Sequence, residues 1–296
     1  MNSPFKHLSL IWILLSTLFF TMAAAGYTDA VLLFGDSLTQ AWSEGSLAQR
    51  LSEYWLRRLD VVNRGYGGYN SEWGIPSFEV IFGTKEDREA GRAQEVQLLT
   101  IWFGTNDAVL PGRLQYTPIP RFQENLKTLV DYVRNKDSKW YSPNTRIVFI
   151  NPPPFIAADR LATQYTRWRD EYKCEGPEPV LDREWDNTKK YAEAVVELGK
   201  EINVPTIDLW TKIIEAAGGE SPEHLKPYFY DGLHFNSLGY KVLTDELTSM
   251  VTEHWPELHP EAIRMRLPHF ADIDPENPRA TIPGQKPVIP RPHDEL

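Results

Sequence analysis

The stretch 31–40, VLLFGDSLTQ, constrains this chain more than any other. Its apolar run stops at Gly35-Asp36-Ser37-Leu38, which places a single serine at the carboxyl end of a buried strand. Open α/β sheets hold their ligands in the crevice outside the carboxyl ends of the strands. A serine hydroxyl is a weak nucleophile at its own pKa, so a reactive serine needs a base, a group that orients the base, and donors for the oxyanion. The downstream sequence offers candidates for all three.

The base and its orienter fall in Tyr230-Asp231-Gly232-Leu233-His234, just ahead of a long amphipathic segment. A three-residue spacing around a glycine lets a tight loop bring the Asp231 carboxylate to Nδ1–H of His234, leaving Nε2 to face Ser37. The run 63–70, NRGYGGYN, follows the second apolar stretch, and glycines at a strand-to-helix turn allow backbone N–H groups to point at a ligand. Gly104-Thr105-Asn106-Asp107 closes the third stretch, where the Asn106 amide is a side-chain donor to set beside the Ser37 N–H. Asp36 fits a turn-fixing role and Asp107 a capping role. Taken singly, Ser37 is an ordinary turn residue, His234 a structural histidine and the glycines turn punctuation; their order at successive strand ends is what favours chemistry.

These four segments resemble, in order and type, the four sequence blocks of the GDSL or SGNH hydrolases. The runs NRGYGGYNS, GTNDA and DGLHFNSLGYKVLTDEL are most similar to the branch that contains isoamyl acetate-hydrolysing esterase, over roughly residues 28–255. The resemblance implies Ser37 as nucleophile, His234 as base, Asp231 as its partner, and Ser37, Gly68 and Asn106 as the oxyanion hole. Gly67 is the rival of Gly68 for that role. No cofactor and no metal are expected, since the remaining histidines lack a His-Glu-x-x-His spacing.

Both ends carry address-like segments. Lys6 and His7 precede a nearly continuous apolar run to Met22 and then Ala23-Ala24-Ala25, the pattern of a secretory signal peptide cleaved after about residue 25. An uncleaved anchor is the alternative, because the run approaches a membrane-spanning length. The chain closes on His293-Asp294-Glu295-Leu296, an HDEL tetrapeptide of the kind read by the retrieval receptor of the endoplasmic reticulum. Together they predict a resident of the endoplasmic reticulum lumen with no stable membrane span after cleavage. A net charge of -10 without a basic run argues against nucleic acid as a partner. Cys174 is the only cysteine, which excludes an intramolecular disulfide and fits an unreactive or buried thiol.

Between the ends, strand-like runs alternate with helix-period segments. This predicts a single α/β domain over 26–255: a flavodoxin-like three-layer α/β/α fold on a five-stranded parallel sheet. Strands are expected at 30–34, 61–63, 96–103, 146–150 and 206–209, and helices at 46–59, 71–82, 121–134, 183–202 and 237–254. Two segments stand outside this scheme. Residues 155–182 form a connection long enough to be either a wall or lid over an acyl pocket or an arm on the far surface. The tail 256–296 has nine prolines between 256 and 292 and too little apolar surface to order by itself. The expected activity is hydrolysis of short acyl or acetyl esters through an acyl-enzyme. A lipid or glycan deacylase, and a non-catalytic lumenal module that binds glycans for quality control, are the alternatives.

Overall fold

The computed structural model describes residues 28–265 and 267–282. The signal-like segment and the HDEL tetrapeptide lie outside the described residues.

β1 (Ala30–Gly35) and β3 (Val96–Trp102) are buried at every position, as interior parallel strands covered on both faces must be. β2 (Asp60–Gly65) is largely half-buried and lies at one edge; β4 (Arg146–Ile150) and the two-residue β5 (Thr206–Ile207) complete the order β2-β1-β3-β4-β5, parallel throughout. This is the predicted five-stranded, doubly wound sheet. Its switch point falls between β1 and β3, and Gly35 is in register with Trp102, so the chain leaves both strands side by side.

Because successive strand residues point to opposite faces, the alternation divides the core in two. Val31, Leu33, Leu98, Trp102, Val148 and Ile150 pack under α2 (Leu47–Tyr54), α8 (Leu209–Ala217) and α9 (Ser237–His254). Leu32, Phe34, Leu99, Ile101, Ile147 and Phe149 pack under α3 (Ser71–Ile81), α5 (Ile119–Arg134) and α7 (Trp185–Glu201). Each such side chain contributes roughly 1.5–3 kcal/mol through burial. Two short helices, α1 (Ser37–Gln40) and α4 (Lys85–Glu89), precede β3.

The departures from expectation have local causes. The helix expected over 46–59 stops at Tyr54, and Arg57 adopts a φ of 65° that turns the chain before Leu59 enters the core. The strand expected to reach 209 ends at Ile207, because Asp208 caps α8 through its bond from the Thr211 N–H. The helix expected from 183 begins at Trp185, since Arg183 is drawn into a bridge with Val109. Residues 155–182 are not irregular throughout: they hold α6 (Ala157–Thr166) and one π-helical turn, Arg167–Glu171. Their Ile156 N–H donates to the Gly232 carbonyl at 2.7 Å, which makes them a wall beside the Asp231–His234 loop and not an arm on the far surface. Cys174, expected to be an unreactive or buried thiol, is exposed, which overturns the buried alternative only.

The start of the proline-rich tail takes its order from the body. Leu258 and Ile263 join the core, Trp55 Nε1–H donates to the Leu258 carbonyl at 2.8 Å, and Glu257 pairs with Arg146 at 2.6 Å.

Candidate active site

The turn after β1 is set by Asp36, whose Oδ1 accepts the Leu38 N–H at 2.8 Å and so caps α1, with Ser37 as the first helical residue. Ser37 Oγ lies 2.9 Å from His234 Nε2, and His234 Nδ1 lies 2.7 Å from Asp231 Oδ2. With Nδ1–H donating to the carboxylate, Nε2 is the acceptor for the serine hydroxyl. The loop carrying this pair is tight because Gly232 adopts a φ of 79° and Asp231 Oδ1 accepts the N–H groups of Leu233 and His234 at 3.0 and 2.7 Å. Burial pushes the Asp231 carboxyl up, but its bond from His234, the charge of that ring and the two backbone N–H groups outweigh this and bring it down to about 2. The Tyr230 ring stacks on the imidazole with centroids 5.7 Å apart.

The turn after β2 holds the two candidate glycines differently. The Gly67 N–H is taken by Gln40 Oε1, whereas the Gly68 N–H donates to no acceptor among the described residues. Gly68 has a φ of 80°, and its carbonyl accepts Gln115 Nε2–H at 2.6 Å. Asn106 is buried, and its Nδ2 donates one proton to the Tyr69 carbonyl at 2.8 Å, which leaves the second amide proton for the cleft.

Asp107 joins the second and third turns, doing more than the local capping expected of it. Its Oδ1 accepts the Ser71 N–H and hydroxyl at 3.0 and 2.5 Å, and its Oδ2 accepts the Gly104 N–H at 3.1 Å. Burial raises its carboxyl to about 6, with the Ser71 bonds opposing the rise. Burial likewise raises Asp36, to about 7, against the Leu38 N–H and with help from the Asp107 charge.

All five expected residues, Ser37, Gly68, Asn106, Asp231 and His234, therefore meet over the switch point. All but Asp231, which stands behind the imidazole, line a cleft of about 650 Å³. The sequence reading missed Arg160, Arg167 and Arg183, which line the same cleft. Arg160 and Arg167 are seven residues apart, two helical turns, and so share a face of the wall; this spacing becomes a signal only once 157–171 is assigned as helical.

A serine, imidazole and carboxylate in hydrogen-bonded series over the switch point of a five-stranded parallel sheet define a hydrolase of the SGNH fold. The chain belongs to the GDSL-like lipase/acylhydrolase family, whose sequence pattern matches residues 33–242, and it is accordingly a carboxylic ester hydrolase. It is similar to a GDSL esterase/lipase of Arabidopsis thaliana, 33% identical over 252 residues that cover 84% of this chain and 95% of the relative. It is also similar to the isoamyl acetate-hydrolyzing esterase of Saccharomyces cerevisiae, 28% identical over 255 residues covering 83% and 95% of the two chains. Among solved structures, a lipase/acylhydrolase from Enterococcus faecalis shares the fold with a TM-score of 0.51 at 22% identity, covering 76% of this chain and 96% of that one. A carbohydrate acetylesterase family member from Sinorhizobium meliloti does so with a TM-score of 0.51 at 14% identity, covering 76% and 98%.

Proposed function

We propose that this protein hydrolyses short acyl or acetyl esters through an acyl-enzyme on Ser37. The observation that carries the reading is the series Ser37 Oγ, His234 Nε2, His234 Nδ1, Asp231 Oδ2, at 2.9 and 2.7 Å, facing the same cleft as the unengaged Gly68 N–H. His234 Nε2 takes the Ser37 proton as Oγ bonds to the ester carbonyl carbon. The N–H groups of Ser37 and Gly68 and the Asn106 amide then hold the oxyanion. As the tetrahedral intermediate collapses, the bond to the alcohol oxygen breaks and His234 returns the proton to it, leaving Ser37 acylated. Water, deprotonated by the same imidazole, attacks the acyl carbon and releases the carboxylic acid and a regenerated serine.

The lining favours small acyl groups. Ala41, Trp42, Tyr230 and Leu233 are its main apolar contributors, set among Gln40, Gln115 and the arginines, which suits an acetyl or short chain better than a long lipid tail. Labelling of purified protein by a fluorophosphonate, with an ester series from acetate to palmitate, tests the reading. Covalent labelling and hydrolysis of the short esters, both abolished in Ser37→Ala, are expected; an unlabelled protein would instead be a binding module.

The cell-biological part of the reading rests on sequence alone. The N-terminal signal and His293–Leu296 support residence in the endoplasmic reticulum lumen through the retrieval receptor. Deleting those four residues should send the protein into the medium, and continued retention of the deleted form would defeat the assignment.

A further inference from the structure

The cleft is cationic in a protein whose net charge is -10. Arg160, Arg167 and Arg183 line it, and no aspartate or glutamate is among its described lining residues. The charges are unevenly matched. Arg183 is answered by Asp182 at 3.0 Å, and its Nη1–H donates to the Thr105 carbonyl at 2.9 Å. Arg160 and Arg167 share one carboxylate, Asp231 Oδ2, at 3.7 and 4.0 Å, and that same oxygen is already bonded to His234. Arg167 also faces the exposed carboxylate of Glu171, 3.9 Å from its Nε. All three distances exceed hydrogen-bond reach.

Arg160 makes the imbalance specific. Its side chain is only 12% exposed, and its Nε and Nη1 are buried without an acceptor among the described residues. Burial above all, and next the like charge of Arg183, hold its guanidinium below the ordinary arginine value, with Asp182 and Asp231 opposing. Guanidinium donors kept from water without an acceptor are destabilising, so a purely structural account of this cluster is a poor one. Planar guanidinium forks match carboxylate, sulfate and phosphate oxygens. Arg160 and Arg167, neither within hydrogen-bond reach of a carboxylate, stand on the imidazole side of Ser37, near the Asp231 carboxylate that backs His234. The leaving alcohol also occupies that side, because His234 protonates it.

We propose that the wall formed by Arg160 and Arg167 selects esters whose alcohol part carries an anionic oxygen group. This deepens the esterase reading and rests on it. The reaction is unchanged; the arginines hold the alcohol's anionic group while its ester oxygen receives the proton from His234.

The test compares kcat/KM for 4-acetoxybenzoate with that for its neutral counterpart 4-acetoxybenzamide, and for 4-nitrophenyl hemisuccinate with that for 4-nitrophenyl butyrate. Each ratio is measured in the parent, Arg160→Gln, Arg167→Gln, Arg167→Lys and the exposed remote control Lys136→Gln, with Ser37→Ala as blank. Comparing ratios between proteins cancels the difference in leaving-group reactivity. Arg167 is 35% exposed, so its replacement is the safer variant for folding. In Arg167→Gln the benzoate-to-benzamide ratio should fall about tenfold, as expected for one hydrogen bond to a charged group. Arg167→Lys should recover part of that loss, Lys136→Gln should leave the ratio alone, and added salt should lower it in the parent. Equal ratios in parent and both glutamine variants, with the neutral esters still cleaved, sink this inference and leave the esterase reading standing. A dependence on Arg167 confined to the hemisuccinate pair overturns the alcohol-side assignment. Failure to cleave any of the four esters sinks the esterase reading itself.

Discussion

The floor and the wall of the cleft are held in different ways. The floor, made by the turns after β1, β2 and β3 and by the Asp231–His234 loop, is fixed by buried carboxylates that each receive backbone N–H groups: Asp36 from Leu38, Asp107 from Ser71 and Gly104, Asp231 from Leu233 and His234. The wall, α6 and its π turn, has no buried residue along either element and meets the floor through the Ile156 to Gly232 bond and the reach of two arginines. Fixed geometry suits bond-making, where small displacements are expensive. A lightly anchored wall can vary its side chains without disturbing the reaction centre, and that suits selection of substrate.

The largest effect should follow from breaking the floor at its orienting carboxylate. Asp231→Asn keeps the side-chain size but removes the charge that supports the imidazolium and the Nδ1–H tautomer, so kcat should fall on the order of 10³–10⁴-fold. KM for a neutral short ester should move little by comparison. A loss under tenfold in steady-state kinetics would remove Asp231 from the series. Asn106→Ala comes next, at roughly 10²–10³-fold in kcat, since one oxyanion donor is lost while the Gly68 and Ser37 N–H groups remain. If Gly67 were the donor instead, freeing its N–H by Gln40→Ala would raise activity; with Gly68 as donor, that variant should not exceed the parent.

The same division explains what could be read from the residues in order. Floor residues are legible because their spacing is dictated by the fold: a strand must end before Ser37, a glycine must allow the Gly68 and Gly232 turns, and Asp231 must sit three residues from His234 to reach its ring. The five strands follow from apolar runs for the same reason. The wall is not legible, because α6 has no fully buried apolar residue and so prints no apolar stripe, and its bond to the floor through Ile156 is made by backbone groups that every residue possesses. From the residues alone β5 reads as running into α8, because Leu209 and Trp210 extend an apolar run whose boundary is the Asp208 cap.

Gly232 is where floor and wall touch. A Cβ there would stand 2.5 Å from the Arg160 N and 2.6 Å from the Ile156 carbonyl oxygen, at a φ that favours glycine. Gly232→Ala should therefore destabilise the protein by about 1–3 kcal/mol and separate wall from floor. Urea unfolding gives the first quantity, and the anion preference, if lost together with it, gives the second. Gly176→Ala, in the same connection but with nothing within 4 Å of the added carbon, should leave stability unchanged or slightly raised. Equal destabilisation by both substitutions would mean that the wall is anchored throughout and not at Gly232.

The smallest effect concerns the floor's own tension. Folding raises Asp36 to about 7 and Asp107 to about 6, chiefly because burial disfavours their charged forms. An acid with a raised pKa holds a proton in the folded state that the unfolded chain has already released above about pH 4. Stability therefore declines as the pH climbs from there to about 7. Asp231, held at about 2, has the opposite sign: its contribution is present above the ordinary carboxylate range and is lost as the pH falls through about 2, so it does not act in the same window. The melting temperature should accordingly be higher at pH 5 than at pH 8. Asp36→Asn retains an oxygen to accept the Leu38 N–H yet cannot ionise, so its decline between those pH values should be shallower than the parent's by an amount on the order of 1 kcal/mol or more. Ser71→Ala should steepen the decline, because it removes the hydroxyl that helps Asp107 bear its charge. Parallel stability curves for the parent and Asp36→Asn would mean that Asp36 is already ionised in the folded protein at pH 5, with Arg183 compensating it across the floor.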